Sequence, residues 1–406
     1  MPPSAWYSSS TRASAASRHT VSSIPRTGAP LRVAQISFFA DPAGRSPQAL
    51  LEAWPSMVDI ARAAQGAGAE VTVVQASRSA GRLQADGVDY QFVPATAGML
   101  LANSSAMRAL LDERAPQVLH VHGLGFLTDL AALAASHPGI PILLQDHANP
   151  RPPWWRWAQW RRGLAPAAGV AFCARAQAEP FRRARLLRAS QRIYEVPEST
   201  SRFTPGEQAA GRAASGLSGE PCVLWVGRLD ANKDPLTVLA GFAEASNALP
   251  RAQLWCFFGD APLLEAVTRR VHSDPRLRGR VHLKGRVPHE HIAHAMRAAD
   301  LLVLGSHHEG SGYALIEALA CGLPAAVTDI PSFRALLGDA GVLWRCGDAR
   351  GCAAALLELA RRPPAAARAA ARVQFERELS FAAMGRKLVS AYADLRDALS
   401  GAAVRA

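Results

Sequence analysis

The chain has 406 residues, 49% of them apolar and 19% charged, which is enough for two domains with substantial cores and excludes a disordered or fibrous protein. A formal net charge of +12 fits an anionic partner such as a nucleotide diphosphate or an acidic lipid surface. No apolar run reaches the ~18 residues of a spanning helix, no compact apolar segment marks a secretory signal, and no helix-turn-helix, zinc-finger or aromatic RNA-binding signature occurs, so neither a membrane span nor nucleic-acid binding is expected.

Residues 1–30 are rich in Ser, Ala and Arg and contain no acid, and they are expected to form a disordered tail. Arg12, Arg18 and Arg26 leave a transit segment as the alternative to a dispensable leader. Cys173, Cys222, Cys256, Cys321, Cys346 and Cys352 are scattered, with no metal or redox spacing, and read as buried thiols of a cytoplasmic protein.

From Leu31 onward, short apolar runs alternate with helical patterns, which predicts parallel sheets covered by helices on both faces. The first domain, 31–198, carries predicted strands at 31–38, 70–75, 117–122, 141–146, 169–174 and 192–197. Its run Leu119-His120-Val121-His122-Gly123 puts two histidines on one face of a strand, with His122 nearer the carboxyl end. Asp146 and His147 close the next strand in the same way. Beyond them Trp154, Trp155, Trp157 and Trp160 are mixed with arginines, and more arginines follow at 182–192. That composition allows two readings, tryptophans packed in the core or a basic aromatic surface at the inner face of a membrane.

Residues 199–220, poor in apolar side chains, read as a linker. The second domain, 221–378, restarts the pattern with strands at 222–226, 253–258, 281–284, 301–304, 325–328 and 341–344. Helices are predicted at 363–378 and 381–400, and the closing segment 379–406 is expected to pack back on the first domain through Phe381, Met384, Leu388, Tyr392 and Leu395. Two facing doubly wound domains place ligands in the central cleft, outside the carboxyl ends of their strands.

Two motifs fall at such ends. Arg228 follows one strand, and Lys233 stands before a helix that starts at Pro235, so a guanidinium and an ammonium can meet a diphosphate. No Asp-x-Asp pair occurs to anchor a divalent ion, and no metal site or cofactor is expected. After the strand 301–304 come Glu309-Gly310-Ser311-Gly312-Tyr313-Ala314 and then Glu317. Glycines there let the backbone approach a ligand, and the amides of the new helix suit a phosphate, leaving one acid for a sugar and one for a ribose. An ordinary strand-to-helix connection with a solvated Glu317 is the plainer reading.

In order and spacing, Val226-Gly227-Arg228-Leu229 with Lys233, Phe258-Gly259-Asp260-Ala261-Pro262, Glu309 and Glu317 around the glycines, and Cys321-Gly322-Leu323-Pro324 resemble the retaining glycosyltransferases of family 4 over about 31–400. The resemblance implies a GT-B fold of two Rossmann-like domains and a nucleotide diphosphate sugar as donor. It also implies a hydroxyl acceptor (a glycan, a lipid-linked molecule or a small molecule) and catalysis without a metal. By position it assigns the diphosphate to Arg228 and Lys233, the ribose to Glu317 and the transferring sugar to Glu309. Amides of Ser311, Gly312, Tyr313 and Ala314 would supply further donors, Arg286 would contact the base, and Gly44 would stand in the loop under the sugar. His122 would lie beside donor and acceptor, with His120, Asp146 and His147 in support. The sequence departs from the family at Val196-Pro197-Glu198-Ser199-Thr200, where Pro-Asn-Gly is common, and at Ala43-Gly44-Arg45, which keeps one glycine where paired glycines are frequent. Competing expectations are an epimerase on the same fold and a binding protein that kept the clamp without turnover.

Overall fold

The computed structural model describes residues 29–95 and 100–403, so the expectation for the tail 1–30 lies almost wholly outside the described residues. The first sheet contains β1 (Leu31–Ser37), β2 (Ala69–Ser77), β3 (Gly81–Ala85), β4 (Val88–Pro94), β5 (Val118–His122), β6 (Ile142–Gln145), β7 (Gly169–Phe172) and β8 (Arg192–Glu195), in the order β3-β4-β2-β1-β5-β6-β7-β8. The second contains β9 (Cys222–Gly227), β10 (Gln253–Phe258), β11 (Val281–Gly285), β12 (Leu301–Leu304), β13 (Ala325–Thr328) and β14 (Gly341–Trp344), in the order β11-β10-β9-β12-β13-β14.

Period-two alternation sends successive side chains of each central strand into different cores. Cys222, Leu224 and Val226 of β9 enter one buried cluster, and Val223 and Trp225 enter the other. Both faces are therefore covered by helices, as parallel pairing requires. The strand order reverses between β1 and β5 in the first sheet and between β9 and β12 in the second. The loops that leave these four strands end in residues 38–46, 123–126, 228–234 and 305–312, which are the crevice positions of doubly wound sheets.

The first sheet differs from expectation at one edge. β3 and β4, absent from the predicted strands, form an antiparallel hairpin around Asp86 and Gly87, whose φ values are +53° and +78°. Positive φ at both turn positions is the condition of the tight hairpin turn that Asp-Gly favours. β3 pairs on one side only, and its alternating exposure with Arg82 and Gln84 outward hides it from a search for apolar runs.

The segment 199–220 is built rather than loose. Ser199, Thr200 and Ser201 are buried, and residues Gln208–Ser215 form a helix. Gln208 Nε2 and Arg212 bond the Asp300 carboxylate at 2.6 and 3.1 Å, and Asp300 also takes the Cys222 amide at 2.7 Å. This stitches the helix to the start of β9.

The terminal helix Phe381–Ala403 lies on the first domain, where Met384, Leu388, Ala391, Tyr392 and Leu395 join the core that holds β1 and β2. Cys173, Cys222, Cys256, Cys321 and Cys352 are buried and free, and burial pushes the Cys256 thiol up to about 12. Such thiols are unreactive at neutral pH.

Candidate active site

Two loops of the second domain are knitted together at the carboxyl ends of β9 and β12. Lys233 donates its backbone amide to Asp230 at 2.9 Å, and Asp230 also pairs with Arg228 at 3.0 Å. Asn232 exchanges bonds with the backbone of His308, donating at 3.0 Å and accepting at 3.0 Å. The Lys233 ammonium meets the Glu309 carboxylate directly. Lys233 and Glu309 therefore meet although 76 positions separate them in sequence, and Asp230 ties Arg228 into the same loop. Asp234 caps the next helix, accepting the Thr237 amide at 3.2 Å, and Pro235 fills its first turn.

The glycine loop is the junction between the domains. Gln177 of the first domain donates to the carbonyls of Glu309 and Gly310 at 2.9 and 3.1 Å, and Ser332 adds a bond to the Glu309 carbonyl at 3.1 Å. Glu198 then closes a reciprocal pair: its carboxylate accepts the Ser311 amide at 2.8 Å, and its own amide donates to Ser311 Oγ at 2.9 Å. The Ser311 amide is thus committed to Glu198, which departs from its expected role as a donor to the ligand. Gly310 has no room for a side chain, since a Cβ would stand 2.0 Å from Glu198 Oε1. Gly312 begins the helix Tyr313–Ala320 at φ +69°, where a Cβ would lie 2.4 Å from the Phe333 ring. Replacing Gly310 with alanine is expected to lower the stability of the closed arrangement by about 1–3 kcal/mol, seen as a lower thermal midpoint. An unchanged midpoint would show that the domains do not meet at Gly310.

The amides of Tyr313 and Ala314 stand in the first turn of the helix, where N–H groups have no intrahelical acceptor. Burial raises the half-buried Tyr313 hydroxyl above the usual phenol range, and the neighbouring Ser56 and Ser199 hydroxyls oppose that rise. Glu317, 7% exposed, is bonded by His289 Nε2 at 2.6 Å, and Phe203 packs at a tilt against the same imidazole with ring centres 4.6 Å apart. Arg286 lies beside Asp260 at 3.7 Å, at the outer end of β11. Gly44 takes φ +62° in the loop after β1, its amide bonded to the Asp41 carbonyl at 3.0 Å, so its recorded bond stays within its own loop.

On the first domain, the paired strands β5 and β6 bring the three histidines together. His122 Nδ1 and His147 Nε2 are 3.1 Å apart, and His147 Nδ1 lies 2.9 Å from Glu198 Oε2. His122 Nε2 is buried with no hydrogen-bond partner among the described residues. A relay therefore runs from Ser311 through Glu198 and His147 to His122. His120 lies beside the relay, its ring centre 4.4 Å from that of His122, and turns Nδ1 to the Tyr392 hydroxyl at 2.7 Å, which also accepts Gln35 Nε2 at 3.2 Å.

The electrostatics follow from burial and from Glu198. Burial, reinforced by the charges of His120 and His147, holds His122 well below the usual histidine range, and burial brings His120 to about 3. Burial alone would lower His147 too, but the hydrogen bond and charge of Glu198 with the charge of Asp146 turn it upward. Asp146 is raised to about 7, first by burial and then by Glu198. In the sequence Glu198 stands out only as a departure from the family pattern, and Gln177, Asp230 and His289 carry no local mark of the site. Their signal is tertiary, since each acts across an element or domain boundary. The polar residues Gln177 and Glu198, a few positions beyond the carboxyl ends of β7 and β8, were the available hint.

Among the described residues no helix is long and apolar enough to cross a membrane, and no cluster of His, Cys, Asp and Glu has metal-binding geometry.

Comparison with known proteins agrees with this geometry. Residues 220–362 match the family described as glycosyl transferases group 1, and residues 55–197 match glycosyltransferase family 4, so that the two together span more than half of the chain. GDP-mannose:cellobiosyl-diphosphopolyprenol alpha-mannosyltransferase of Xanthomonas campestris is 26% identical over 238 residues, 56% of this chain and 60% of that protein. D-inositol 3-phosphate glycosyltransferase of Segniliparus rotundus is 33% identical over 161 residues, 38% of this chain and 36% of that protein. The aligned stretch thus spans 60% or less of the length of these curated relatives. Sucrose-phosphate synthase from Thermosynechococcus elongatus has a TM-score of 0.66 at 20% identity, covering 91% of this chain and 100% of that one. Anabaena HepE in complex with UDP and glucose has a TM-score of 0.65 at 15% identity, covering 90% and 100%. At these identities the structural likeness concerns the fold, two facing Rossmann-like domains.

Proposed function

This chain belongs to the group 1 glycosyltransferases of family 4 and has their GT-B fold, and on that premise we propose that it moves a hexose from a nucleoside diphosphate sugar to a hydroxyl acceptor with retention at the anomeric carbon. The observation that carries the reading is the meeting of Lys233 with Glu309 in the loop that leads into the helix Tyr313–Ala320, with Arg228 held by Asp230 in the Lys233 loop. HepE, a structural neighbour, is seen with UDP and glucose, which supports a nucleotide-sugar donor.

In this reading a diphosphate competes with Glu309 for the Lys233 ammonium and with Asp230 for Arg228. As the bond between anomeric carbon and phosphate oxygen breaks, negative charge grows on that oxygen, and the two cations with the Tyr313 and Ala314 amides stabilise it. They supply the neutralisation that a divalent ion would otherwise give. The acceptor oxygen bonds to the anomeric carbon from the same face, and its proton passes to the departing phosphate. Glu309, released from Lys233, accepts a hydroxyl of the transferring sugar, and Glu317, oriented by His289, accepts ribose hydroxyls. His122 Nε2 accepts a further sugar hydroxyl, so that the relay orients the substrate rather than abstracting a proton.

Incubation with a panel of UDP- and GDP-sugars and mixed hydroxyl acceptors tests this. The expected product has the donor's anomeric configuration by proton coupling. Inversion would end the retaining mechanism, and tight nucleotide binding without hydrolysis or transfer from any donor would favour a binding protein.

A further inference from the structure

Between Arg151 and Arg192 the chain carries ten arginines and one acid, Glu179, a net +9 within a protein whose whole formal charge is +12. All ten arginines are exposed. Among the described residues, the ion pairs of this strip are Arg183 with Glu179 and Arg192 with Asp394. The charge is therefore concentrated in the segment that links β6, β7 and β8, along the β8 edge of the first sheet.

The same edge carries Trp154 and Trp155, 74% and 69% exposed, the two most exposed large apolar side chains among the described residues. The structure separates them from their neighbours, because Trp160 is buried in the core and Trp157 bonds the Pro152 carbonyl at 3.0 Å beneath Arg151. Core packing accounts for Trp157 and Trp160 and leaves Trp154 and Trp155 without such a role. Alongside, Arg161 Nε donates to the Arg185 carbonyl at 2.8 Å, which holds two arginine segments side by side. They enclose an open hollow of about 380 Å³ lined by Arg161, Arg162, Arg185, Leu187 and Arg188.

We propose that this edge docks the protein on an anionic lipid bilayer, with the Trp154–Trp155 pair seated at headgroup depth and the four-arginine hollow gripping lipid phosphates. Tryptophan is amphipathic and favours the bilayer interface, and guanidinium groups match phosphate oxygens in pairs. Basic side chains add attraction to acidic headgroups within a Debye length. A nucleic acid fits less well. The two indoles meet edge to face at 85°, so they offer no parallel platform for successive bases. The strip begins four residues after His147, on the lip of the cleft, so docking would turn the acceptor side of the cleft toward the lipid.

Co-sedimentation of the full chain with phosphatidylcholine vesicles, with and without phosphatidylglycerol, tests the proposal without any turnover, so its outcome is separable from that of the transfer reading. Binding is expected only with the anionic lipid, and it should weaken at high salt. Trp154→Ala with Trp155→Ala should reduce partitioning about tenfold. Arg162→Glu with Arg188→Glu, chosen because Arg161 also supports the fold, should reduce it by at least about fivefold for each position. Nucleoside diphosphate binding, unchanged in both variants, would show that they are folded. Equal binding to neutral vesicles, no binding to either, indifference to these substitutions, or release of bound protein by an equal charge of single-stranded DNA would each overturn the proposal.

Discussion

Lys233→Ala and Arg228→Ala are each expected to lower kcat for sugar transfer by about 10²–10³-fold, the cost of removing one preorganised donor from a site where charge develops. The two positions should differ in detail. Lys233 meets Glu309, whose side chain is 13% exposed, so its removal also leaves a nearly buried carboxylate without its cation. Arg228 is 39% exposed and held by Asp230, and Arg228→Lys should recover only part of the rate, because an ammonium cannot bind two phosphate oxygens in parallel. Steady-state kinetics on a nucleotide sugar that is turned over would read these losses. Rates within about threefold of the parent for both alanine variants would remove the diphosphate from this loop.

The relay from Glu198 to His122 predicts a pH dependence whose sign follows from the tautomers. With neutral His147, Nδ1–H donates to Glu198, and Nε2 accepts Nδ1–H of His122, which leaves His122 Nε2 as an acceptor facing substrate. When His147 is protonated, both of its nitrogens donate, His122 Nδ1 must accept, and the hydrogen of His122 moves to Nε2. A substrate hydroxyl then loses its acceptor, so kcat/KM should rise as pH rises through the titration of His147. Because Glu198 and Asp146 raise that titration above its ordinary value, the midpoint is expected above 6.5. Glu198→Gln removes the charge, lets burial dominate, and should shift the midpoint downward. Asp146, pushed to about 7, titrates in the same window, and Asp146→Asn removes that second titration while taking away part of the upward pull on His147. His122→Ala should lose about 10–100-fold in kcat/KM and flatten the profile. An unchanged midpoint in Glu198→Gln would mean that the relay does not govern His122.

The sequence is most legible where one physical signal dominates. Leu301-Leu302-Val303-Leu304 has to be a strand buried on both faces, and the loops after β9 and β12 fall at the reversal of strand order, so Lys233 and Glu309 could be expected to meet, as they do. Hairpin β3–β4 was hidden because an edge strand needs only alternate burial, although Asp86-Gly87 announces its turn. The helix Gln208–Ser215 was read as a linker from its small residues. Those residues let it pack closely, since a Cβ on Gly211 would sit 2.8 Å from the Ala298 amide nitrogen. Glu198 was visible as a departure from a family pattern, but its meeting with His147 and Ser311 depends on two domains closing on each other, and no local pattern encodes that. The tryptophans show the same limit, because burial of Trp160 and exposure of Trp154 follow from which side of one short helical segment faces the sheet.

A crystal structure of the chain soaked in turn with UDP and GDP tests the central claim most directly. The account predicts a diphosphate bonded by Lys233 Nζ and the Arg228 guanidinium, capped by the Tyr313 and Ala314 amides, with Glu309 released from Lys233 and Glu317 on the ribose. A nucleotide bound elsewhere, with the Lys233–Glu309 pair intact, would contradict it.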